Sequence, residues 1–175
     1  MRRVRSLLLI LTVSAVVLAG SAAGGTATAT RQSALDGNLL VQLNALRAKH
    51  GLRPLRLSRR LSAAADRHSI EMAKDGYFAH ASANGTAFWK RVERYYPSAG
   101  YRSWIVGENL LWQSPDLDAR QAMTLWMDSP SHRANLLGRA WREVGVSAVQ
   151  VQSGTGTFAG MTVILVTVDF GARTK

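Results

Sequence analysis

Two histidines and one glutamate are the side chains of this sequence most able to do chemistry. His80 follows the end of a helical pattern, where a loop can direct it into a cleft, and His132 lies in the first turn of another predicted helix. Glu108 interrupts an apolar, strand-like segment, and a buried carboxylate needs a partner. Two imidazoles and a carboxylate form an open zinc site, with three protein ligands and a fourth position for water.

The spacing of these three residues does not show whether they meet. They lie far apart in the chain, unlike a histidine pair on one helix with an acid between them. A shared site and separate structural roles therefore both stay open, and in the second case Glu108 accepts hydrogen bonds from loop backbone. Asn109 and Arg47 are interpreted in the same structural way, as side chains that tie loops together.

The other candidate side chains are assigned structural roles. His50 ends the first predicted helix, where the macrodipole favours a histidine, and His68 lies on the apolar stripe of the second helix. Trp126 is predicted to lie in the core. Ser129 is explained as a helix cap and has no base and orienting acid beside it, so we reject it as a nucleophile.

Apolar residues at helical spacing predict three helices in the first half of the chain. The first runs from Asp36 and ends at Gly51. Ser58 caps the second helix, which continues to Gly76 and ends just before the first candidate histidine. The third helix is short and covers residues 87–95.

The next segment is predicted to hold one strand and two more helices. The strand covers residues 103–111 and contains the candidate glutamate. A helix then opens at the Ser114-Pro115 pair and ends near Asp128, and Ser129-Pro130 starts a shorter helix that carries the second candidate histidine. The inner face of the longer helix has two alternatives: Leu117, Gln121 and Leu125, or Ala119, Ala122 and Trp126.

Two antiparallel strands are predicted to close the domain. Hydrophobic and small residues alternate over residues 144–151, residues 161–170 are a β-branched run, and residues 153–156 form the turn between them. Helices first and strands last, with one strand between, predict an α+β domain whose sheet is covered by helices on its faces.

The N-terminal segment has the pattern of an export signal. A basic start precedes an apolar run and then small residues, which predicts a signal peptide over residues 1–23. A flexible linker is expected at residues 24–34 and one domain at residues 35–173. The apolar run is short for a membrane span, which needs roughly 20 residues, so we expect a secreted, extracytoplasmic protein with no span after cleavage. An uncleaved anchor is the alternative.

The composition narrows the range of partners. The 175 residues contain no cysteine, which excludes disulfides and a bacterial lipid anchor. The net charge of +11 can attract nucleic acid, anionic lipid or acidic wall polymers, and export favours the last two. No nucleic-acid partner is expected, and the scattered arginines favour a simply solvated basic surface. We expect a monomer.

Several ordered motifs carry a family resemblance. They are residues 43–47 (LNALR), 51–55 (GLRPL), 72–80 (MAKDGYFAH), 107–109 (GEN), 126–137 (WMDSPSHRANLL) and 169–171 (DFG). In this order they resemble the CAP superfamily of cysteine-rich secretory, antigen 5 and pathogenesis-related proteins, in its bacterial branch. The resemblance spans about residues 36–171, which is essentially the whole predicted domain.

The resemblance implies an α-β-α sandwich with a mainly antiparallel central sheet. It also implies a central groove where two histidines and two acids gather and can hold a divalent cation such as Zn²⁺. His80, Glu108 and His132 match three of these four positions. At the fourth, Ser129 replaces a glutamate and Asp128 stands next to it, which implies a weaker site completed by water.

Three functions are compatible with these features. The favoured one is a binding module whose groove, with Asp128 at its edge, holds a divalent cation or a lipid, peptide or cell-wall ligand. The alternative is a metal-assisted extracellular hydrolase, which would need Asp128 as its general base. The third is an envelope protein that adheres through its basic surface alone. No residue is assigned a catalytic role, since a family indicates a fold better than a function.

Overall fold

The computed structural model describes residues 28–175. The predicted signal peptide and the first residues of the predicted linker lie outside this range. Among the described residues, no helix has the length and hydropathy needed to cross a membrane.

The five helices and the three long strands follow one another in the predicted order. The helices are α1 (Ser33–Lys49), α2 (Arg59–Asp75), α3 (Phe88–Tyr95), α4 (Ala119–Asp128) and α5 (Pro130–Leu136). The strands are β1 (Ala29–Arg31), β2 (Arg56–Leu57), β3 (Ser103–Gln113), β4 (Glu143–Val151) and β5 (Val163–Thr174), and a short 3₁₀ turn covers Gly156–Phe158.

The ends of α2 are set as the sequence predicts. The Ser58 hydroxyl accepts a hydrogen bond from the backbone N–H of Leu61, which satisfies a donor of the first turn. Gly76 ends the helix with a φ of 68°, a left-handed conformation that glycine adopts without steric cost. The loop that leads to His80 therefore begins at a fixed point.

The start of α4 differs from the prediction. The helix begins at Ala119 rather than at the Ser114-Pro115 pair, because the carboxylate of Asp118 accepts a hydrogen bond from the N–H of Gln121 at 2.8 Å and caps it there. Of the two alternative inner faces, the second is correct: the buried residues of α4 are Ala119, Ala122, Met123 and Trp126.

The second half of the predicted linker, residues 29–34, belongs to the folded domain instead. Ala29–Arg31 pairs antiparallel with β4 as an edge strand, and α1 already begins at Ser33. A strand made of small and polar residues has no recognisable hydrophobic pattern in the sequence, since its bonds to β4 use backbone groups alone. The two-residue strand β2, also not predicted, pairs parallel with β4.

The central sheet has helices on both sides, as the resemblance implies. Its strand order is β1-β4-β5-β3, with β2 joined to β4. We call the side covered by α1, α4 and α5 the α1 face, and the side covered by α2 and α3 the α2 face. The α+β fold class and the α-β-α sandwich are confirmed.

Candidate functional site

Glu108 lies in the middle of β3 on the α2 face, and its side chain is fully buried. Its Oε1 accepts a hydrogen bond from Nδ1 of His80 at 2.8 Å, and its Oε2 pairs with the guanidinium of Arg91. Both carboxylate oxygens are therefore engaged by side chains. These side-chain partners differ from the alternative considered from the sequence, in which Glu108 accepts hydrogen bonds from loop backbone.

Arg91 connects the buried carboxylate to the loop after α2. It is only 3% exposed, and its Nη1 donates to the carbonyl of His80 at 2.9 Å and to the Ser82 hydroxyl at 3.3 Å. Arg91 is one of the scattered arginines for which the sequence predicted a solvated surface position. A signal was present, since Arg91 falls three residues after Phe88 and four before Tyr95, at the spacing of an inner helix face.

His80 presents one ring nitrogen to the carboxylate and keeps the other available. Because an ionised carboxylate can only accept, the hydrogen bond to Glu108 places the proton of the neutral ring on Nδ1. The lone pair is then on Nε2, and the side chain is 53% exposed. The His80 imidazole can therefore bind a cation or accept a proton from a ligand.

His68 supports this arrangement from within the core. Its side chain is fully buried, and Nε2 donates to the carbonyl of Ala79, the residue before His80, at 2.9 Å. Burial lowers the pKa of His68, which keeps the ring neutral. The structural role assigned to His68 thus includes holding the loop of the site.

Asp169 is a second buried acid that the sequence analysis did not assign to the site. It lies directly opposite Glu108 in the pairing of β5 with β3, and it has no exposed surface. Its oxygens accept no hydrogen bond from a donor among residues 28–175, and the side chain that faces them is the Glu108 carboxylate. Burial, and then the negative charge of Glu108, raise the pKa of Asp169 well above its usual value, so the carboxyl tends to hold a proton.

Helix α5 brings His132 to the same region. The Asn109 amide donates to the backbone carbonyl of His132 at 3.0 Å, and the Asn135 amide donates to the carbonyl of Glu108 at 3.1 Å. Burial lowers the pKa of the half-buried His132 imidazole, and a positive charge on His80 lowers it further. The bonds from Asn109 and Asn135 thus hold α5 next to the Glu108 segment of β3, although the two come from distant parts of the chain.

Asp128 is placed elsewhere by the structure. It is exposed at the end of α4 and lines a groove of about 290 Å³ between α1 and α4, together with Leu46, Met123 and Met127. Within the described range it makes no hydrogen bond or ion pair with His80, Glu108 or His132. Its predicted place at the edge of their site is not supported.

Of the three predicted metal ligands, His80, Glu108 and His132, only the two histidines are suited to bind a divalent cation. Both oxygens of Glu108 carry hydrogen bonds, and the adjacent charge of Arg91 repels a cation, so Glu108 is poorly suited to direct coordination. It instead orients His80, as carboxylates orient the histidine ligands of metal sites. In the part of the chain that the structure describes, no three His, Cys, Asp or Glu side chains are arranged to hold a metal ion. The two imidazoles of His80 and His132 remain as donors.

The chain belongs to the CAP family, described as the cysteine-rich secretory protein family, whose pattern matches residues 40–170. This match confirms the resemblance read from the motifs.

Two relatives come from Bacillus subtilis (strain 168). The protein YkwD is 30% identical over 127 residues, a match that covers 71% of this chain and 46% of YkwD. The membrane protein YlbC is 28% identical over 115 residues, which covers 66% of this chain and 32% of YlbC. The chain thus spans less than half the length of either relative.

Solved structures share the fold. An outer surface protein from Borrelia burgdorferi superposes with a TM-score of 0.64 and 20% identity, covering 84% of this chain and 100% of that protein. An extracellular protein from Bacillus anthracis with an SCP domain gives a TM-score of 0.61 and 24% identity, covering 82% of this chain and 41% of that one.

Proposed function

We propose that this protein is a CAP-domain binding module that acts outside the cytoplasm and uses His80 and His132 to hold a divalent cation such as Zn²⁺. The observation that carries the proposal is the half-exposed His80 ring, fixed at Nδ1 by a buried Glu108–Arg91 pair. With only two imidazole donors, water or a bound ligand completes the coordination.

An extracytoplasmic location has two supports. The pattern of residues 1–23 is that of an export signal. The matched proteins include one described as extracellular and one described as an outer surface protein. A lipid, a peptide or an acidic wall component remains the proposed class of ligand.

Binding is better supported than hydrolysis. A metal-assisted hydrolase needs a general base beside the metal-bound water. Glu108 has both oxygens engaged, Asp169 is fully buried, and Asp128 lies in the groove between α1 and α4. None of these acids is free beside the two imidazoles. We therefore propose that the imidazoles bind a cation and its ligand without cleaving a bond.

Zinc titration tests the proposal. The purified chain without a histidine tag is expected to give a saturable calorimetric signal with Zn²⁺. His80→Ala and His132→Ala should each weaken the affinity by about tenfold or more, since even residues that only orient a metal ligand contribute about 10–100-fold. His50→Ala, at an exposed position after α1, is the matched control and should bind as the wild type does. Equal zinc binding by all four proteins would overturn the proposal.

A further inference from the structure

Arg91 also lines a second, strongly polar groove. This groove has a volume of about 110 Å³ and lies between α2, α3 and the loop that joins them. Its polar lining comes from three sides: Arg67 and Glu71 of α2, Arg91 and Arg94 of α3, and Ser82 and Thr86 of the loop. We call it the arginine groove.

The arginine groove carries excess positive charge. Arg67 and Arg94 are exposed, and no carboxylate of the described residues lies within ion-pair distance of either guanidinium. The charge of Arg91 is offset by Glu108, and Glu71 is the acid that lines the groove itself. Two unpaired guanidinium groups against one carboxylate favour an anionic occupant.

Arg91 also has an unused donor. Its Nη1 and Nη2 groups are hydrogen-bonded, but Nε has no partner among the described residues, although the side chain is almost fully buried. A buried charged donor without an acceptor is unfavourable. The Ser82 hydroxyl, which accepts a bond from Arg91, still has its own hydrogen to donate. Nε itself is shielded from solvent, so the donors that an oxyanion in the groove can reach are the Ser82 hydroxyl and the exposed guanidinium groups of Arg67 and Arg94.

The lining and shape of the groove narrow the class of anion. Its walls are mainly charged and hydroxyl side chains, so it suits a polar group rather than an acyl chain. Donors approach from three sides, which matches a tetrahedral phosphate better than a planar carboxylate, and guanidinium groups bind phosphate oxygens in pairs.

We propose that the arginine groove is a binding site for a phosphate group carried by a larger ligand. A phospholipid headgroup and a polyol-phosphate wall polymer both supply this chemistry. The proposal concerns a site separate from the His80–His132 imidazoles and does not depend on a cation there.

Phosphate titration followed by amide NMR shifts at low ionic strength tests the site. Inorganic phosphate should shift residues 82–94 saturably, and Arg67→Gln and Arg94→Gln should each weaken binding by about tenfold, since hydrogen bonds to charged groups are the stronger ones. Arg60→Gln, at an exposed position of α2 outside the groove, is the matched control and should leave the affinity unchanged. Equal phosphate affinity in all three variants would overturn the proposal.

Further experiments identify the ligand that carries the phosphate group and distinguish this site from the cation site. Acetate should not saturate the same shifts, and competition by acetate as strong as that of phosphate would refute the phosphate assignment. Binding either to phosphatidylglycerol vesicles or to soluble poly(glycerol phosphate), lost in Arg67→Gln, supports the site and names its source. Failure of both ligands to bind would contradict it. His80→Ala should retain phosphate binding, so this inference and the cation proposal fail independently.

Discussion

The two faces of the central sheet bury different kinds of side chain. On the α1 face, the side chains that β4 and β5 bury are apolar, among them Val144, Val146, Ala148, Ile164, Val166, Val168 and Phe170. On the α2 face, the same two strands bury Ser147, Thr167 and Asp169, with Glu108 beside them on β3. One sheet therefore separates an apolar layer from a layer rich in polar groups.

The polar layer is held by directed contacts. The Ser69 hydroxyl of α2 donates to Thr167 at 2.8 Å, and the Ser147 hydroxyl donates to Asp66 at 3.2 Å. Buried polar groups cost free energy unless they are paired, so each contact fixes the position of α2 over the sheet. The difference teaches that the α1 face supplies mainly hydrophobic stabilisation, whereas the α2 face positions the His80–Glu108–Arg91 part of the site.

A glycine allows α2 to come this close. Gly145 lies opposite Asp169, and a Cβ at this position would be 2.1 Å from the carbonyl carbon of Leu61 in α2. That distance is a clash with helix backbone, so any side chain would push α2 away from the sheet. The close approach of α2 to the sheet therefore depends on Gly145 of β4 as well as on the polar contacts.

The largest expected loss of stability comes from a substitution on the α1 face. Trp126→Ala removes an indole that is 1% exposed and whose Nε1 donates to the carbonyl of Leu110 at 3.0 Å. We expect a loss of about 3–5 kcal/mol in the free energy of unfolding, measured by urea denaturation. Leu125→Ala, at a neighbouring residue that is 39% exposed, should change it by less than about 1 kcal/mol. Equal losses in both variants would contradict the burial argument.

A smaller loss of stability is expected on the α2 face, where a substitution breaks a buried hydrogen bond. Ser69→Ala or Thr167→Val leaves one buried hydroxyl without its partner, and each should cost about 1–3 kcal/mol in the free energy of unfolding. The double variant removes both polar groups and should be more stable than the sum of the single losses predicts. Additive losses in the double-mutant cycle would show that the pair does not interact.

The sequence predicted the larger elements because their signals are local. The spacing of apolar residues, the Ser58 cap and the Gly76 stop are sufficient to define α2. The first residues of the domain were assigned to a linker because β1 depends on backbone pairing with β4, which is more than a hundred residues away. No property of Ala29–Arg31 alone indicates that pairing.

The site was predicted in part for the same reason. His80 and Glu108 were selected by residue type, and the structure brings them into direct contact. Arg91 and Asp169 were not selected, because their roles depend on facing Glu108 from α3 and from β5. A local pattern can indicate that a charged residue faces inward, but only the strand register identifies its partner.

The smallest expected effect concerns the proton on Asp169 and is seen in the pH dependence of stability. The pKa of Asp169 is raised in the folded protein above the unfolded value of 3.8. Between that value and the folded pKa, the folded state binds a proton that the unfolded state has lost. Stability therefore falls as pH rises through this window, by at most about 1.4 kcal/mol per pH unit for one proton.

Asp169→Asn replaces this carboxyl with a neutral group of the same shape and should remove the effect. Urea denaturation of both proteins from pH 4 to pH 8 should show the variant gaining stability relative to the wild type as pH rises. The pKa values of His68 and His132 are lowered by burial in both proteins. Their contribution destabilises the fold as pH falls below 6.5, and it largely cancels in the difference between the two proteins.

Asp116→Asn, which replaces an exposed acid, is the control and should show the same pH dependence of stability as the wild type. Parallel curves for wild type and Asp169→Asn would mean that Asp169 is ionised in the fold, and that the α2 face tolerates two adjacent negative charges beside Arg91.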